Sequence, residues 1–487
     1  MALAVGPPPD GGYPGGNTAE GQNALLSLTT GTYNTAIGLY SLLSVTNGKF
    51  NTGLGAGTLL LNTADQNTAT GAGALLSNTD GGDNTANGAF ALFSNTTGDS
   101  NTAIGSNALF ANTEGDTNTA IGSSALYNNT SGSGNTAAGV AALLFNTTGA
   151  GNTAIGVNAL LGNTTGMGNT AVGALALEVN VGISNTATGF FALGNNTTGD
   201  DNTGIGFGVL NGNTTGAFNT AIGSGALLSS TSANSNTALG DSALFNDTTG
   251  SNNTAIGTAA LQTNDTGSGN IALGEGAGEN LTTGDNNIDI GNFGVSGESN
   301  TIRVGTQGTQ TATYLAGISG APLDSGVVVI VDATTGQLGV LPSSLRFKTD
   351  IKAMDAASEA ILALKPVTFY YKSSKIGKPQ FGLIAEEVEK VNSDLVVRDK
   401  DGKPYSVRYD QVNAMLLNEF LKERRKVDAQ QATIIELKST VADQQKDFQS
   451  KLAEQETQIQ ALASGLQKVR VQIEATDPEP RMAGNRP

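Results

Sequence analysis

From residue 17 to about 297 the apolar residues come in short clusters that repeat with the chain's own polar punctuation. An Asn-Thr or Asn-Ile pair recurs at Asn17, Asn34, Asn51, Asn67 and onward to Asn287, in steps of 17 residues with two steps of 16. The consensus is close to N-T-A-I-G-x-x-A-L-L-x-N-T-T-G-x-x. One such unit buries too little to fold alone, so the period predicts a solenoid whose stacked units share a core. Two apolar segments per unit, as in Thr102-Ala103-Ile104 and Ala108-Leu109-Phe110, are closed by Gly or by Asn-Thr-Thr-Gly. They are expected as short β segments, with Gly supplying positive φ at the corners and Asn tolerating it. Small Ala and Gly imply a narrow coil. Stacking sets identical residues about 4.8 Å apart, so the Asn columns are expected to hydrogen-bond as ladders, and some seventeen coils give a rod on the order of 80 Å long. A coil this thin has little core of its own, which favours a homotrimer burying one face of each subunit.

The period fades after Asn287. Thr301–Val304 and Thr311–Leu315 read as strands, and Val327–Val331 with Leu338–Val340 flank a Gly-containing turn, a hairpin. Asp355–Leu364 is patterned as an amphipathic helix stopped by Pro366. Thr368–Tyr371 reads as a strand, and Phe381–Asn392 as a strand leading into a helix. Leu395–Val397 and Tyr405–Val407 flank Asp401-Gly402, a second hairpin signal. From Gln411 a long helix is expected. Phe420, Val427, Ile434, Val441 and Phe448 recur every seventh residue, with Leu416 and Leu437 at the companion position. A shift of four then leads into Leu452, Ile459, Leu462, Leu466, Val469 and Ile473, which makes a coiled coil with one stutter. Gln430, Gln444 and Gln455 interrupt its core. The expected organisation is a flexible segment (1–16), repeat solenoid (17–297), β connector (298–342), compact α+β domain (343–426), coiled coil (427–475) and disordered tail (476–487).

Composition narrows the chemistry. The 487 residues include no His, Cys or Trp. His/Cys metal sites, thiol nucleophiles and Ser-His-Asp triads are therefore excluded, and catalysis would have to use Ser, Thr, Lys, Tyr or carboxylates. The net charge is −17, unevenly divided: before Ser343 stand two basic residues, Lys49 and Arg303, against 21 acidic ones, and from Ser343 onward 23 basic against 21 acidic. A body so poor in Lys and Arg offers no phosphate-neutralising patch, so no nucleic-acid partner is expected. Met1–Pro14 lacks the basic and apolar regions of a secretory signal. No apolar run is long enough to span a bilayer, so neither membrane insertion nor Sec-type export is expected.

Several motifs have ordinary structural readings. Asn95-Thr96-Thr97 fits a glycosylation sequon, but a repeat turn explains it. Gly53–Gly57 looks like half a phosphate loop, which repeat geometry also explains. Asp200, Asp201 and Asp285 lack calcium-loop spacing. Glu386-Glu387 reads as a solvated helix face. No cofactor or metal is expected. Columns of Thr on a flat β face could order water, as in ice-binding solenoids, which is a minor alternative. Ser343 and Lys348 could do nucleophilic work without histidine, because a neutral lysine can take a serine's proton; Arg346 and burial in an oligomer would favour that state. By spacing alone, a polar linker accounts for the pair better.

Two resemblances sharpen the reading. The segment Asn101-Thr102-Ala103-Ile104-Gly105 and its copies resemble the head repeats of trimeric autotransporter adhesins, which form a parallel β-roll, although the unit here is longer. The stretch from Ser343 through Arg346, Lys348 and Ile351 resembles the start of the C-terminal intramolecular chaperone of phage endosialidase tailspikes and tail fibres, also found in myelin regulatory factor. The likeness continues through Ala360–Tyr371, Gln380–Val388, Val407–Asp410 and Leu416–Glu419. It implies a domain that trimerises, drives folding of the preceding fibre and then cleaves itself with a serine-lysine dyad. Carried over, Ser343 is the nucleophile, Lys348 the general base and Pro342-Ser343 the scissile bond. Ser344 stands where the family has an acidic residue, and the five-residue spacing to Lys348 selects Ser343. The chain is thus expected to be mainly β: a trimeric parallel β-solenoid (β-roll) fibre, then a small α+β chaperone domain and a C-terminal coiled coil. The expected setting is a virion tail fibre or an extracellular or cell-surface appendage. Its partners would be further copies of itself and, as a second class, a cell-surface receptor or glycan. The runner-up is a passive structural or adhesive fibre that keeps its chaperone.

Overall fold

The computed structural model describes residues 13–315, 327–332, 334–372, 377–399 and 401–476. Most of the expected flexible segment 1–16 and all but the first residue of the expected tail 476–487 lie outside them. The chain divides into two units, Met1–Leu315 and Ala316–Pro487.

The first unit is a parallel β-solenoid of about seventeen turns. Each coil contributes one three-residue strand, from β1 (Thr18–Glu20) to β18 (Ile302–Val304), and every strand pairs in parallel with the next. The register is constant. Thr102, Ala103 and Ile104 face Thr119, Ala120 and Ile121, and the two 16-residue steps keep it, with Thr52 opposite Thr68 and Thr170 opposite Thr186. In the first short coil the missing residue comes out of the corner, where the Ala64 carbonyl accepts from Nδ2 of both Asn51 and Asn62, each at 2.9 Å. The sheet runs beyond residue 297, since β18 pairs with β17 (Ile288–Ile290).

The interior of a coil is small, as its Ala-rich sequence predicts. In the coil that starts at Asn101 it holds Ala103, Ala108 and Leu109 together with Asn101 and Asn112, all fully buried. The two asparagines form separate ladders. Nδ2 of Asn118 donates to Oδ1 of Asn101 (3.1 Å) and to the Gly132 carbonyl (2.8 Å), while the Asn118 amide donates to the same Oδ1 (2.9 Å). In the second column Nδ2 of Asn112 donates to Oδ1 of Asn95 (2.7 Å) and to the Gly115 carbonyl (3.0 Å). A buried amide is costly unless its donors and acceptors are used, and the stack supplies most of the partners, leaving Oδ1 of Asn163, Asn213 and Asn264 without one. Thr hydroxyls make a third line: Thr96 Oγ1 donates to the Thr113 carbonyl at 2.9 Å.

The second apolar segment is not a strand. In Ala108-Leu109-Phe110 the backbone turns, and Leu109 takes φ 53°, as Leu92 and Leu126 do at 51° and 53°. A left-handed leucine costs roughly 1–2 kcal/mol. Here it is offset by burial of the side chain and by a hydrogen bond from its N–H to the next coil's Ala125 carbonyl, 2.9 Å. Positive φ at the corners is therefore shared by Gly, Leu and residues such as Asn107. Thr311–Leu315, expected as a strand, has no regular structure.

Coils touch backbone to backbone, which fixes one glycine in every unit and a second in most of them. A Cβ on Gly105, whose φ is 137°, would lie 2.4 Å from the Gly122 carbonyl oxygen; one on Gly115 would lie 2.4 Å from that of Gly132. The acidic corner also has a structural role. Asp99 Oδ1 accepts from the Gly82 amide (2.6 Å) and Asp116 Oδ1 from the Asp99 amide (2.8 Å), so each carboxylate satisfies an N–H of the preceding coil.

In the second unit β19 (Ile330–Val331) and β20 (Leu338–Gly339) pair antiparallel, as do β21 (Val367–Phe369) with β22 (Gln380–Gly382). Helix α1 (Ala385–Val391) follows, then the hairpin of β23 (Val396–Arg398) and β24 (Pro404–Val407), and then the long helix α2 (Tyr409–Thr476). The helix expected at Asp355–Leu364 is present as a 3-10 helix, Asp355–Ala363. The core is slight: Val388, Leu395, Val396, Val407 and Met415 are its buried members.

Two predictions follow from the packing of the coils. Gly105→Ala must push a coil off its neighbour, and a loss of about 1–3 kcal/mol in unfolding free energy is expected by thermal or denaturant melting. Asp247 replaces Asn in the second ladder, and burial raises its carboxyl to about 8; burial also raises Asp289 to about 6. A raised acid binds its proton in the folded state, so stability falls as pH rises from the ordinary value of 3.8 through the folded one. Melting temperature is expected to decline up to about pH 8, and Asp247→Asn is expected to remove the part of that decline above about pH 6.

Candidate functional site

The junction folds back on itself. Leu345–Phe347 form one 3-10 turn, closed by hydrogen bonds from the Phe347 amide to the Ser344 carbonyl (3.0 Å) and from the Lys348 amide to the Leu345 carbonyl (3.1 Å). That turn returns Lys348 toward Ser343, and its Nζ donates to Ser343 Oγ at 3.1 Å. Ser343, Ser344 and Lys348 are all exposed in the single chain. The guanidinium carbon of Arg346 lies 4.7 Å from the centroid of the Phe347 ring, a cation–π contact that holds it beside the turn. A serine hydroxyl within hydrogen-bond reach of a lysine amine is the arrangement a serine-lysine nucleophile requires, given a setting that lets the amine lose its proton.

A second polar cluster was not legible as a site. Ser358, fully buried on the 3-10 helix, donates to a Glu419 carboxylate oxygen and accepts from Asn418 Nδ2 at 2.7 Å. Lys422 Nζ bonds Glu419 Oε1 at 2.7 Å and Glu359 Oε1 at 3.3 Å. The group ties the 3-10 helix to α2. The only sequence signal for it was the Leu416–Glu419 stretch of the resemblance, which carried no role. Tyr409, at the start of α2, accepts from the Leu383 amide at 3.0 Å and so anchors the end of β22.

The other sequence candidates are structural where they stand. Asn95 of the sequon is fully buried, with Nδ2 given to Asn78 Oδ1 (2.7 Å) and the Gly98 carbonyl (2.9 Å). Gly53 lies in strand β3 (Thr52–Leu54), opposite Ala69, with no helix after it to receive a phosphate. Asp200 Oδ1 accepts from the Ile183 amide (2.7 Å) and Asp285 Oδ1 from the Ser268 amide (2.8 Å). Glu386 and Glu387 are exposed in the first turn of α1, where their charge suits the helix dipole. Among the described residues no three His, Cys, Asp or Glu side chains gather as a metal site, and no helix is long and apolar enough to cross a membrane.

Residues 343–397 match the peptidase S74 family model, described as the chaperone of endosialidase. The match begins on Ser343 itself. Together with the long solenoid before it, it bears out the resemblance to the tail-fibre and endosialidase-tailspike chaperone family. No curated protein and no solved structure matches the chain.

The polar cluster generates a prediction. Ser358→Ala strips Asn418 and Glu419 of a buried partner and is expected to cost about 1–3 kcal/mol, read from the melting of the C-terminal unit. The Lys422 ammonium, and then the Ser358 hydroxyl, hold the Glu419 carboxyl below its ordinary 4.5. Its contribution is complete above that value and is lost as pH falls through the lower folded value. An acid-side weakening that Glu419→Gln abolishes is expected.

Proposed function

We propose that this tail-fibre-like chain forms a homotrimeric fibre whose C-terminal domain assembles the trimer, guides folding of the solenoid and then releases itself by cutting Pro342-Ser343. The observation that carries the reading is the 3.1 Å contact between Lys348 Nζ and Ser343 Oγ, inside a segment that matches a self-processing chaperone family.

The chemistry balances within the chain. Neutral Lys348 takes the hydroxyl proton of Ser343 while Oγ attacks the Pro342 carbonyl carbon. The carbon–nitrogen bond to Ser343 breaks, and the nitrogen leaves as an amine with a proton from the lysine. Water then hydrolyses the Pro342 ester, restoring the Ser343 hydroxyl. Lysine is neutral only where water is scarce or positive charge is near. Ser343 and Lys348 are exposed in one chain, so burial by neighbouring copies would switch the dyad on after assembly.

Trimerisation is supported by what one chain leaves uncovered. Phe381 is 82% exposed and Tyr405 74%, around a core of five buried apolar residues among those described. Phe420, Val427, Ile434, Val441 and Phe448 stand exposed along α2 at heptad spacing, as a coiled coil with other copies requires. The chaperone's task follows from the repeats: identical coils pair out of register almost as well as in register, so a folding nucleus outside them is needed. The setting that suits such a fibre is a virion tail or an extracellular appendage. The second reading, a fibre that keeps its chaperone, draws on Ser344 in place of the family's acidic residue.

Intact mass and gel migration separate the two readings. The wild-type chain is expected as two fragments, one ending at Pro342 and one beginning at Ser343, with Lys348→Ala and Ser343→Ala uncut. A trimeric wild-type chain that stays whole would defeat the cleavage reading and leave the retained-chaperone fibre.

A further inference from the structure

The solenoid carries one apolar column that its own fold leaves unused. The last residue of each strand points outward, and constant register stacks these residues from Ile37 to Val304. Ile104 is 41% exposed, Ile121 45% and Ile155 44%. After Glu20 the column contains no charged residue; its polar members are Thr70, Asn87 and Thr188.

Other outward columns differ. Phe93, Phe110 and Tyr127 stack at 5.1 and 5.0 Å on a second apolar line, but these rings are half-buried, and Glu178, Asn211 and Gln262 occupy that line further on. The corner column carries Asp65, Asp99, Asp116, Asp200 and Asp285. In a body with two basic residues, these carboxylates would repel a second copy laid against them. Of these three lines, only the uncharged strand column can meet its like without stacking charge or breaking off partway. A partner contacting the whole column must also repeat at the same coil spacing, which a second copy of this chain does at every rung.

We propose that the column from Ile37 to Val304 is the face on which the copies of the solenoid meet, in register, about a common axis. This rests on the homotrimer proposed above and assigns its contact surface in the repeat body.

The absence of cysteine makes the test clean. Ile121→Cys, Tyr127→Cys and Ser133→Cys place one thiol each on the strand column, the aromatic line and the acidic corner of the same coil. Each full-length variant is oxidised under mild conditions, run on a non-reducing gel and sized by sedimentation. Ile121→Cys is expected to give covalent dimers within a trimer, and the other two variants none. Trimers in which Ile121→Cys stays unlinked, or in which Tyr127→Cys or Ser133→Cys links instead, overturn the face while leaving the trimer intact. Monomers by sedimentation remove the trimer and the face together.

Discussion

The close approach of one coil's backbone to the next is the constraint on which this chain depends. A rise of one strand spacing per unit leaves no space for a side chain where coils touch at Gly105 and its repeats, and little at Gly115, whose place Ala233 takes in another coil. The same closeness lets Asn101 reach Asn118, lets Thr96 reach the Thr113 carbonyl, and lets a corner aspartate reach the amide above it. An interior of two alanines and one leucine per coil buries little apolar surface. Hydrogen bonds between coils therefore specify the geometry of each rung, although they do not tell one repeat unit from another.

The C-terminal unit has the opposite character. Its interior is small and its apolar surface largely uncovered, and α2 alone would extend on the order of 100 Å. It reads as a component waiting for copies of itself. The Ser343–Lys348 contact fits that state: under the proposed function, a pair exposed in one chain would act only once neighbours exclude water, coupling cutting to assembly without a separate sensor.

Much of this was legible. The 17-residue period called for a solenoid, the buried-size pattern for a narrow coil, and the Asn columns for ladders; turn chemistry located both hairpins. The second apolar segment misled because propensity forbids what stacking rewards. Leu109 is an unfavourable residue for positive φ, yet its N–H and its side chain are both satisfied only in that conformation. Asp355–Ala363 has a helical pattern, but it closes as 3-10 turns with Ser358 bonded to α2, a partner more than fifty residues away that no local pattern reveals. Ser343 and Lys348 were visible through the motif around them; their spacing alone carried almost nothing. Asn95 shows the converse, a sequon match whose amide lies inside the protein.

The two short coils carry a broader lesson. Losing one residue at the corner beside Ala64 left strand register and both Asn columns in place. Losing or duplicating a whole unit would likewise return each strand and each asparagine of the first column to an equivalent neighbour. Such a gene can recombine unequally within its repeats and still encode a foldable product. Selection could then tune the reach of the fibre in increments of about 4.8 Å, like notches on a rule.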